Sequence, residues 1–498
     1  MSWSTLLLVP VSVLYFLVVL VLYVFGLNFL YLSIGSRRRD NRVPADSVKA
    51  LEALPFVTVQ LPIYNEWYVA RRLIEAAAAL DYPPELLEVQ VLDDSTDETR
   101  ELAAETVERL RHSGSSNVVL LHRSERRGFK AGALAEGLAQ ARGEFIAIFD
   151  ADFIPPPGFL RKTLPHFDSE RVAFVQARWG HLNRGYSLLT RLQALSIDAH
   201  FGVEQSARSR LGHWFNFNGT AGIWRKAAIA DAGGWRAATL TEDLDLSYRA
   251  FLRGWEGRYA GDVEVPAELP ITFAAYRRQQ HRWARGSLEC AVQHLPEIWR
   301  SPIPPLRKLE ASLHLLGYAI HFLLFLLTIL YPVMLGISVQ YPDLLRLYGL
   351  AVFFNGTALA PTVMFAVAQG NLGRRWFAAL PAIFLMTVLG TGMMLNTLRA
   401  GLQVAFGTQA RFERTPKYGV KDAHSPLDLS RYRVRLDRLV FFELALALLN
   451  VWTMWLAFRM SNWMTLFFAG LFAGGLAFTS LTTLFQSLRD AGRQAVRA

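Results

Sequence analysis

The feature that most constrains this chain is an uncharged segment near its N-terminus. Residues Thr5–Leu32 contain no charged side chain, and about 20 apolar residues suffice for a helix to cross a bilayer. A secretory signal carries basic residues before a shorter apolar core, whereas here Arg37, Arg38 and Arg39 follow the segment. We therefore expect a retained membrane anchor over residues 1–36. Because basic residues accumulate on the cytoplasmic side, the next segment is expected in the cytoplasm.

The long segment after the anchor contains no further span. From Ala45 to Lys308 no uncharged stretch reaches spanning length, which predicts one water-soluble domain. Charged residues nevertheless form only 19% of the 498-residue chain, below the roughly 25% of soluble domains. The composition therefore excludes a disordered or fully soluble protein. It indicates a multi-pass integral membrane protein with a cytoplasmic domain, expected in the plasma or inner membrane.

Charge and cysteine usage exclude other classes. The net charge is +10, but Lys and Arg cluster beside the apolar stretches rather than along one soluble patch, so no nucleic-acid partner is expected. The single cysteine, Cys290, excludes an intramolecular disulfide and a cysteine-based zinc cluster. The oligomeric state stays open.

Five apolar stretches follow the soluble segment. They lie at 313–339, 347–369, 376–398, 439–457 and 464–485. If all five crossed the bilayer, the basic segment 399–438 would lie outside, against the rule that positive loops stay inside. We therefore predict that 376–398 is interfacial or re-entrant, broken near Pro381 and by Gly390 and Gly392. The other four stretches are then spans, and 487–498 is a cytoplasmic tail. The alternative is six spans, in which the basic segment 399–438 lies outside against the rule that positive loops stay inside.

Short apolar runs alternate with helical patterns inside the soluble domain. The patterns predict strands at 57–61, 89–92, 118–121 and 145–149, and helices at 69–80, 98–111 and 131–141. This alternation is typical of a parallel sheet covered on both faces. Ligands bind such sheets beyond the carboxyl ends of the strands.

Polar motifs stand at three of those strand ends. Tyr64-Asn65-Glu66 follows the first strand, Asp93-Asp94 the second, and Asp150-Ala151-Asp152 the fourth. A spacing of two in an extended chain points both carboxylates of the Asp150 and Asp152 pair the same way. Hard oxygen ligands suit Mg²⁺ or Mn²⁺ bridging a diphosphate. The structural alternative is that these acidic residues only cap helices.

Two further motifs lie downstream. The first is Thr241-Glu242-Asp243, which on its own is typical of a helix N-terminus. The second is Gln279-Gln280-His281-Arg282-Trp283, which has a QxxRW spacing on an amphipathic pattern that begins near Phe273. Gln279 shares a helix face with Arg282 and Trp283, which is also typical of a polar interface helix. Lys130 follows Arg126-Arg127-Gly128, a segment that either binds phosphate or is simply a basic turn.

The ordered combination of these motifs resembles the processive family 2 glycosyltransferases, the superfamily of cellulose, mannan, glucomannan, hyaluronan and chitin synthases. The resemblance implies a GT-A (Rossmann-like) α/β domain over 45–272. It also implies interface helices over 273–311 and a membrane bundle over 312–486. Residues 412–417 resemble the F-x-V-T-x-K gating loop of cellulose synthases, within 408–436. Arg414 replaces the usual Val there, which puts the detailed closing contacts in doubt.

The resemblance also assigns roles to individual residues. Asp243 matches the general base, and Asp150 and Asp152 match the metal-holding pair. Donor nucleotide binding is implied for Tyr64, Asn65, Glu66, Asp93, Asp94, Lys130 and Asp150. Acceptor binding is implied for Gly219, Thr220, Glu242, Gln279, Arg282 and Trp283. The gating loop matches at Phe412, Thr415 and Lys417.

The expected activity is inverting transfer of a hexose from a nucleotide sugar to a growing β-linked polysaccharide, with export through the membrane helices. Mg²⁺ or Mn²⁺ is the expected cofactor, and membrane lipid surrounds the bundle. One sequence does not rank UDP-glucose against GDP-mannose as donor. The alternative is a single transfer to a lipid acceptor, as in ceramide glucosyltransferase-like enzymes. A transporter with a regulatory domain is disfavoured, because the spans are almost free of charge.

Overall fold

A seven-stranded sheet forms the centre of the soluble part of the chain in the computed structural model. The structure describes residues 3–37, 54–114, 117–341, 355–408, 414–420 and 436–497. The strands are β1 (Val57–Ile63), β2 (Leu87–Asp93), β3 (Val118–His122), β4 (Phe145–Ile148), β5 (Val172–His181), β6 (Gly222–Arg225) and β7 (Glu256–Ala267). All four strands expected from the apolar runs are therefore present.

The strand order places the first four strands together. The order is β3-β2-β1-β4-β6-β5-β7, with β3, β2, β1 and β4 mutually parallel and β6 antiparallel to both of its neighbours. Ile63 pairs with Asp93, and Gln60 pairs with Ile148. The chain therefore leaves β1, β2 and β4 at the same edge of the sheet.

Helices cover the sheet and connect its strands. Up to residue 315 the helices are α1 (Trp3–Ser36), α2 (Ala70–Ala78), α3 (Thr99–His112), α4 (Phe129–Gln140), α5 (Phe159–Thr163), α6 (Leu188–Ala199), α7 (Ser206–Arg210), α8 (Lys226–Asp231), α9 (Glu242–Leu252), α10 (Phe273–Arg300) and α11 (Pro305–Leu315). The three helices expected from periodicity correspond to α2, α3 and α4. A π-helix, His200–Gln205, joins α6 to α7.

The core lies on both faces of the sheet, as the continuous apolar strands require. On β4, Phe145 and Ala147 belong to the apolar cluster that contains α2 and α3. Ile146 and Ile148 belong to the cluster that contains α4, α9 and α10. This is the period-2 alternation of a strand, and it fixes which side chains remain at the edge for a site.

The C-terminal part is helical. Its helices are α12 (Ile320–Gln340), α13 (Ala360–Asn371), α14 (Leu380–Gly392), α15 (Met394–Ala405), α16 (Leu439–Arg459) and α17 (Trp463–Arg497). Within the described ranges, five stretches are long and apolar enough to cross a membrane: Val9–Ser36, Gly317–Gln340, Trp376–Ala405, Leu439–Arg459 and Trp463–Arg489. The expected span at 347–369 falls partly on residues outside the description.

The stretch Trp376–Ala405 packs against the soluble domain, as the stretches that carry Leu32, Glu443 and Gln486 also do. Its side chains share an apolar cluster with helices of the soluble domain, made of Leu192, Leu195, Phe273, Tyr276, Ile383, Met386, Leu389 and Met393. Asn396 Nδ2 also donates to the Arg277 carbonyl oxygen at 3.1 Å. That this stretch does not cross stays a prediction.

A buried ion pair joins α10 to α16, a helix that is long and apolar enough to cross a membrane. Arg277 donates to both oxygens of Glu443, at 2.7 and 3.1 Å. The side chains are only 4% and 1% exposed. Removing one partner of a buried pair leaves an uncompensated charge, which costs more than an exposed pair contributes.

We expect Glu443→Ala to destabilise the folded protein by about 3–5 kcal/mol, measured as thermal unfolding in detergent. Glu75→Ala is the matched control, because Glu75 accepts from Arg109 at a similar 2.7 Å but both side chains are exposed. That exposed pair should contribute about 0–1 kcal/mol. Equal destabilisation by the two variants would show that Arg277 and Glu443 do not join the two parts of the chain.

Candidate active site

A cleft opens at the edge of the sheet where β1, β2 and β4 end. Its walls are these strand ends, the start of α9, helix α10 and the segment 414–420. Among the residues assigned from the sequence, those that line it are Tyr64, Glu66, Asp94, Lys130, Asp150, Asp152, Gly219, Glu242, Asp243, Gln279, Arg282, Trp283, Thr415 and Lys417. The scattered motifs therefore converge on one cavity.

Three of the assigned residues that the structure describes do not line the cleft. Asp93 is fully buried and its Oδ2 lies 2.7 Å from His122 Nδ1. Asn65 adopts a left-handed backbone with φ +54° and bonds to the loop after β2. Thr220 lies just behind the lining residues. Phe412 falls outside the described residues.

Lys130 stands at the centre of the cleft. Its Nζ lies 2.6 Å from Asp150 Oδ1 and 3.6 Å from Glu242 Oε1, and it donates to the Gly219 carbonyl oxygen at 2.9 Å. Burial works against the charged lysine, but Asp150 and Glu242 outweigh it and raise the pKa of Lys130. The helix start that carries it is strained, since Phe129 has φ +52°. A cation is thus held where anionic groups meet.

Asp150 and Asp152 are held by different neighbours. The Asp150 backbone N–H donates to Thr220 Oγ1 at 2.9 Å, which gives Thr220 a supporting position. Burial raises the pKa of Asp150, against the opposing pull of Lys130. Asp152 Oδ2 lies 2.5 Å from Lys417 Nζ. Each carboxylate of the pair therefore faces its own lysine.

Asp243 lies in the first turn of α9. Thr241 precedes this helix, but its hydroxyl faces Cys290 Sγ at 3.6 Å and does not cap the helix N-terminus. The Leu244 backbone N–H donates to Asp243 Oδ1 at 2.9 Å. Burial, followed by the neighbouring Glu242, raises the pKa of Asp243 to about 7. A carboxylate with this pKa is suited to accept a proton near neutral pH.

Gly219 lies next to the side chains of Asp243 and Lys130. Its φ of +77° is left-handed, and a Cβ there would lie 2.9 Å from Asp243 Oδ2 and 3.3 Å from Lys130 Nζ. Glycine is therefore required both by the backbone conformation and by the approach of these two side chains.

The segment 414–420 closes one side of the cleft. Lys417 Nζ donates to the Glu268 carbonyl oxygen at 2.7 Å, and the Tyr418 backbone N–H donates to Glu268 Oε1 at 2.8 Å. Arg72 pairs with the same carboxylate at 2.9 Å. Glu268, which comes just after β7, is thus the anchor of this segment. No sequence motif indicated it.

Arg414, the departure from the cellulose-synthase pattern, makes closing contacts of its own. It donates to the Tyr64 carbonyl oxygen at 3.2 Å, and its Nε lies 3.4 Å from Glu66 Oε1. Burial outweighs this attraction and raises the pKa of Glu66 to about 8. This shift favours the protonated carboxyl group, which is a hydrogen-bond donor as well as an acceptor.

Asp150 and Asp152 could hold a divalent metal only together with ligands from outside the protein. Within the described ranges, no group of three or more His, Cys, Asp or Glu side chains is arranged to hold a metal. Asp150 and Asp152 supply two hard carboxylates at the cleft. Mg²⁺ is typically held by one or two carboxylates together with substrate phosphates. The donor set therefore suits an ion that arrives with a diphosphate.

The α10 side of the cleft is aromatic. Trp283 lies 6.4 Å from Trp179, centroid to centroid, with the rings tilted by 53°. Gln279 and Arg282 line the same wall. Two indoles at this angle offer apolar faces to a sugar ring. Trp179 was missed in the sequence because the fifth strand that carries it was not predicted.

The sequence analysis also missed two arginines near Asp94, at the end of β2. Arg123 donates to both oxygens of Asp94, at 2.7 and 2.6 Å. Arg126 lies over the Tyr64 ring, 3.5 Å from its centroid. The basic run before Lys130 was the available signal, but its spacing does not show which arginine faces the cleft.

Residues 55–286 match a protein-family model described as "Glycosyltransferase like family 2". This part of the chain is therefore a family 2 glycosyltransferase domain, and the mixed sheet has the GT-A fold expected for it.

Curated relatives match over a similar region. The chain is 45% identical over 276 residues to glucomannan 4-beta-mannosyltransferase 1 of Oryza sativa subsp. japonica, covering 53% of each protein. It is 47% identical over 251 residues to glucomannan 4-beta-mannosyltransferase 2 of Arabidopsis thaliana, covering 50% of this chain and 47% of that one. The chain thus spans about half the length of these relatives.

A similar solved structure is the mannosyltransferase PcManGT from Pyrobaculum calidifontis in complex with GDP-Man and Mn²⁺. Its TM-score is 0.48 at 20% sequence identity, covering 80% of this chain and 98% of that one.

We expect Gly219→Ala to reduce glycosyl transfer by roughly 100-fold, the loss that a displacement of about 1 Å can cause. The new Cβ would push Asp243 and Lys130 apart. Gly234→Ala is the control, since Gly234 has a similar φ of +72° but a Cβ added there would meet no described atom within 4 Å. Steady-state rates of purified protein compare the two. Equal losses would mean that backbone strain, rather than crowding, explains the effect.

Proposed function

We propose that the chain is an inverting glycosyltransferase in a membrane, which transfers a hexose from a nucleotide sugar to the end of a β-linked polysaccharide. The observation that carries the proposal is the meeting of Asp243, Lys130 and Asp150 around Gly219, opposite Trp283. The curated relatives are named as mannosyltransferases, which supports a mannosyl donor, and we propose GDP-mannose.

Asp243 is proposed as the general base. An acceptor hydroxyl is a poor nucleophile, and a carboxylate behind it can take its proton while the bond to the anomeric carbon forms. One displacement inverts the configuration at that carbon, so an α-linked donor yields a β-linked product. Helix α9 fixes the carboxylate through its own Leu244 N–H, which leaves Asp243 Oδ2 on the Gly219 side.

The donor is proposed to lie between the strand ends and Lys130. Tyr64 and Asp94 stand at the β1 and β2 side, where the resemblance places the nucleotide. Asp150 and Asp152 would hold Mg²⁺ or Mn²⁺, and the ion would draw negative charge from the departing diphosphate. Lys130 supplies a fixed positive charge beside that position, and Lys417 supplies a second when segment 414–420 is closed.

The acceptor is proposed to enter from the α10 side, along Trp283, Gln279 and Arg282. This wall lies next to the membrane helices, since Arg277 of the same helix pairs with Glu443. A growing chain would therefore leave the cleft towards the bilayer. We propose that the catalytic domain lies on the cytoplasmic side, and the charge distribution of the flanking segments supports this.

Asp243→Asn is expected to abolish transfer, a loss of roughly 100-fold or more, while donor binding stays within severalfold. Asn keeps the shape but cannot accept the proton. Release of GDP from GDP-mannose measures turnover, and calorimetric titration of GDP measures binding. Parallel loss of both would assign Asp243 to donor binding or to folding instead.

The pKa of Asp243 predicts a pH profile. A base must be deprotonated, so kcat/KM should fall about tenfold per pH unit below a pKa of about 7 and level off above it. Glu242→Gln removes a like charge that raises this pKa, and the acid limb should move to lower pH. A limb that stays in place in the Gln variant would belong to a group other than Asp243.

Analysis of radiolabelled product tests polymer synthesis against the glycolipid alternative. Purified protein in nanodiscs receives GDP-mannose or UDP-glucose with Mg²⁺ or Mn²⁺. A long chain that a β-mannanase digests supports the proposal. A single sugar extracted with lipid would replace it with glycolipid synthesis. Absence of transfer from both donors would sink it.

A further inference from the structure

The segment that leads into α9 carries the proposed base but has no side-chain cap of its own. Leu240, Thr241 and Asp243 all line the cleft. Thr241 stands at the position where a side chain usually accepts from the first turn of a helix, and its side chain makes no such hydrogen bond. The position of Asp243 therefore depends on contacts that this segment makes with other parts of the chain.

Helix α10 supplies two of these contacts. The Leu240 backbone N–H donates to Glu289 Oε2 at 2.8 Å. About one turn earlier in α10, Gly286 lies so close to Thr241 that a Cβ added there would meet Thr241 Oγ1 at 2.5 Å. The backbone just before Asp243 therefore rests directly on α10, and Glu289 accepts its hydrogen bond.

The Glu289 carboxylate is itself held in place. Its Oε1 accepts from Arg285 Nε at 2.8 Å, and the side chains of Glu289 and Arg285 are 14% and 7% exposed. Arg285 also donates to Gln403 Oε1 at 3.4 Å and to the Thr408 carbonyl oxygen, both near the end of α15. Each carboxylate oxygen of Glu289 thus has its own donor, and hydrogen bonds to an ionised group are stronger than neutral ones.

A separate contact holds the rest of α9 on α10. Asp245 Oδ1 lies 2.9 Å from His294 Nε2 in a buried pair, and Asp245 Oδ2 accepts from Arg249 at 2.7 Å. These bonds do not involve Glu289. We therefore expect α9 to remain folded and packed when Glu289 is changed, with any displacement confined to the segment before the helix and its first turn.

We propose that Glu289 is a positioning residue for the general base, because it holds the Leu240 N–H and thereby keeps Asp243 beside Gly219. The inference rests on the proposed function in taking Asp243 as the base. Glu289 is not one of the described residues that line the cleft, so it acts through the backbone at Leu240 and does not touch a substrate.

Amide hydrogen exchange tests the hydrogen bond directly, without requiring turnover. Full-length protein in nanodiscs is compared as wild type, Glu289→Ala and Glu289→Gln by mass spectrometry of peptides that contain Leu240. Glu289→Ala should speed exchange at Leu240 about 10- to 100-fold, the range expected for loss of a hydrogen bond to a charged group. Glu289→Gln keeps an oxygen that accepts from Leu240 and should preserve most of the protection.

Steady-state kinetics tests the consequence for the base. Glu289→Ala should lower kcat about 10- to 100-fold, since a displacement of about 1 Å can cost 100-fold. The KM for GDP-mannose and the affinity for GDP should stay unchanged, because Glu289 does not reach the cleft. Glu289→Gln should recover most of the lost rate.

Glu297→Ala is the matched control. Glu297 lies two turns further along α10 and is exposed, so its loss should change neither exchange at Leu240 nor kcat. Thermal unfolding of each variant separates a displaced base from a damaged fold. If Glu289→Ala unfolds, Glu289→Leu serves as the second variant, because it keeps the bulk of the side chain without an acceptor.

The outcomes separate this inference from the proposed function. Unchanged exchange at Leu240 in Glu289→Ala would overturn the inference, and so would faster exchange with an unchanged kcat. Equal losses of kcat in the Ala and Gln variants would assign the effect to the charge of Glu289 and also overturn it. Wild type that transfers no sugar would remove the proposed function, whereas faster exchange in Glu289→Ala alone would still support Glu289 as the residue that holds this segment.

Discussion

The structure of this site depends on the compensation of carboxylates crowded into one buried cleft. Like charges this close cannot all stay ionised in a low-dielectric site without cations. Lys130 reaches Asp150 at 2.6 Å and Lys417 reaches Asp152 at 2.5 Å. Where compensation is incomplete, as at Asp243, the pKa rises to about 7. The same balance of charges that allows the cleft to fold thus leaves one carboxylate with a pKa near neutrality.

The sheet and the membrane helices meet through α10. Its N-terminal turn carries Arg277, which pairs with Glu443 of a membrane helix, and its next two turns carry Gln279 and Trp283 at the cleft. One helix therefore connects the cleft directly to the C-terminal helices.

Much of this was readable from the sequence because it depends on local patterns. Strand runs with period-2 burial and helix periodicity predicted β1 to β4 and α2 to α4, and polar residues at strand ends marked one edge of the sheet. The later strands were not predicted, and with them Trp179 and Glu268 were missed. Arg126 was seen as part of a basic turn, but only packing against Tyr64 shows which way it faces.

The sequence by itself determined the apolar segments, the order of the acidic and QxxRW motifs, and the domain family, because these are carried by residue type and spacing. Tertiary structure alone decided which lysine meets which aspartate, since Lys417 reaches Asp152 across 265 positions of the chain. It also decided that Asp94 forms an ion pair with Arg123. It placed Gly219 where any side chain would collide with Asp243. Such contacts arise from the register of strands and the packing of helices, and no local pattern encodes them.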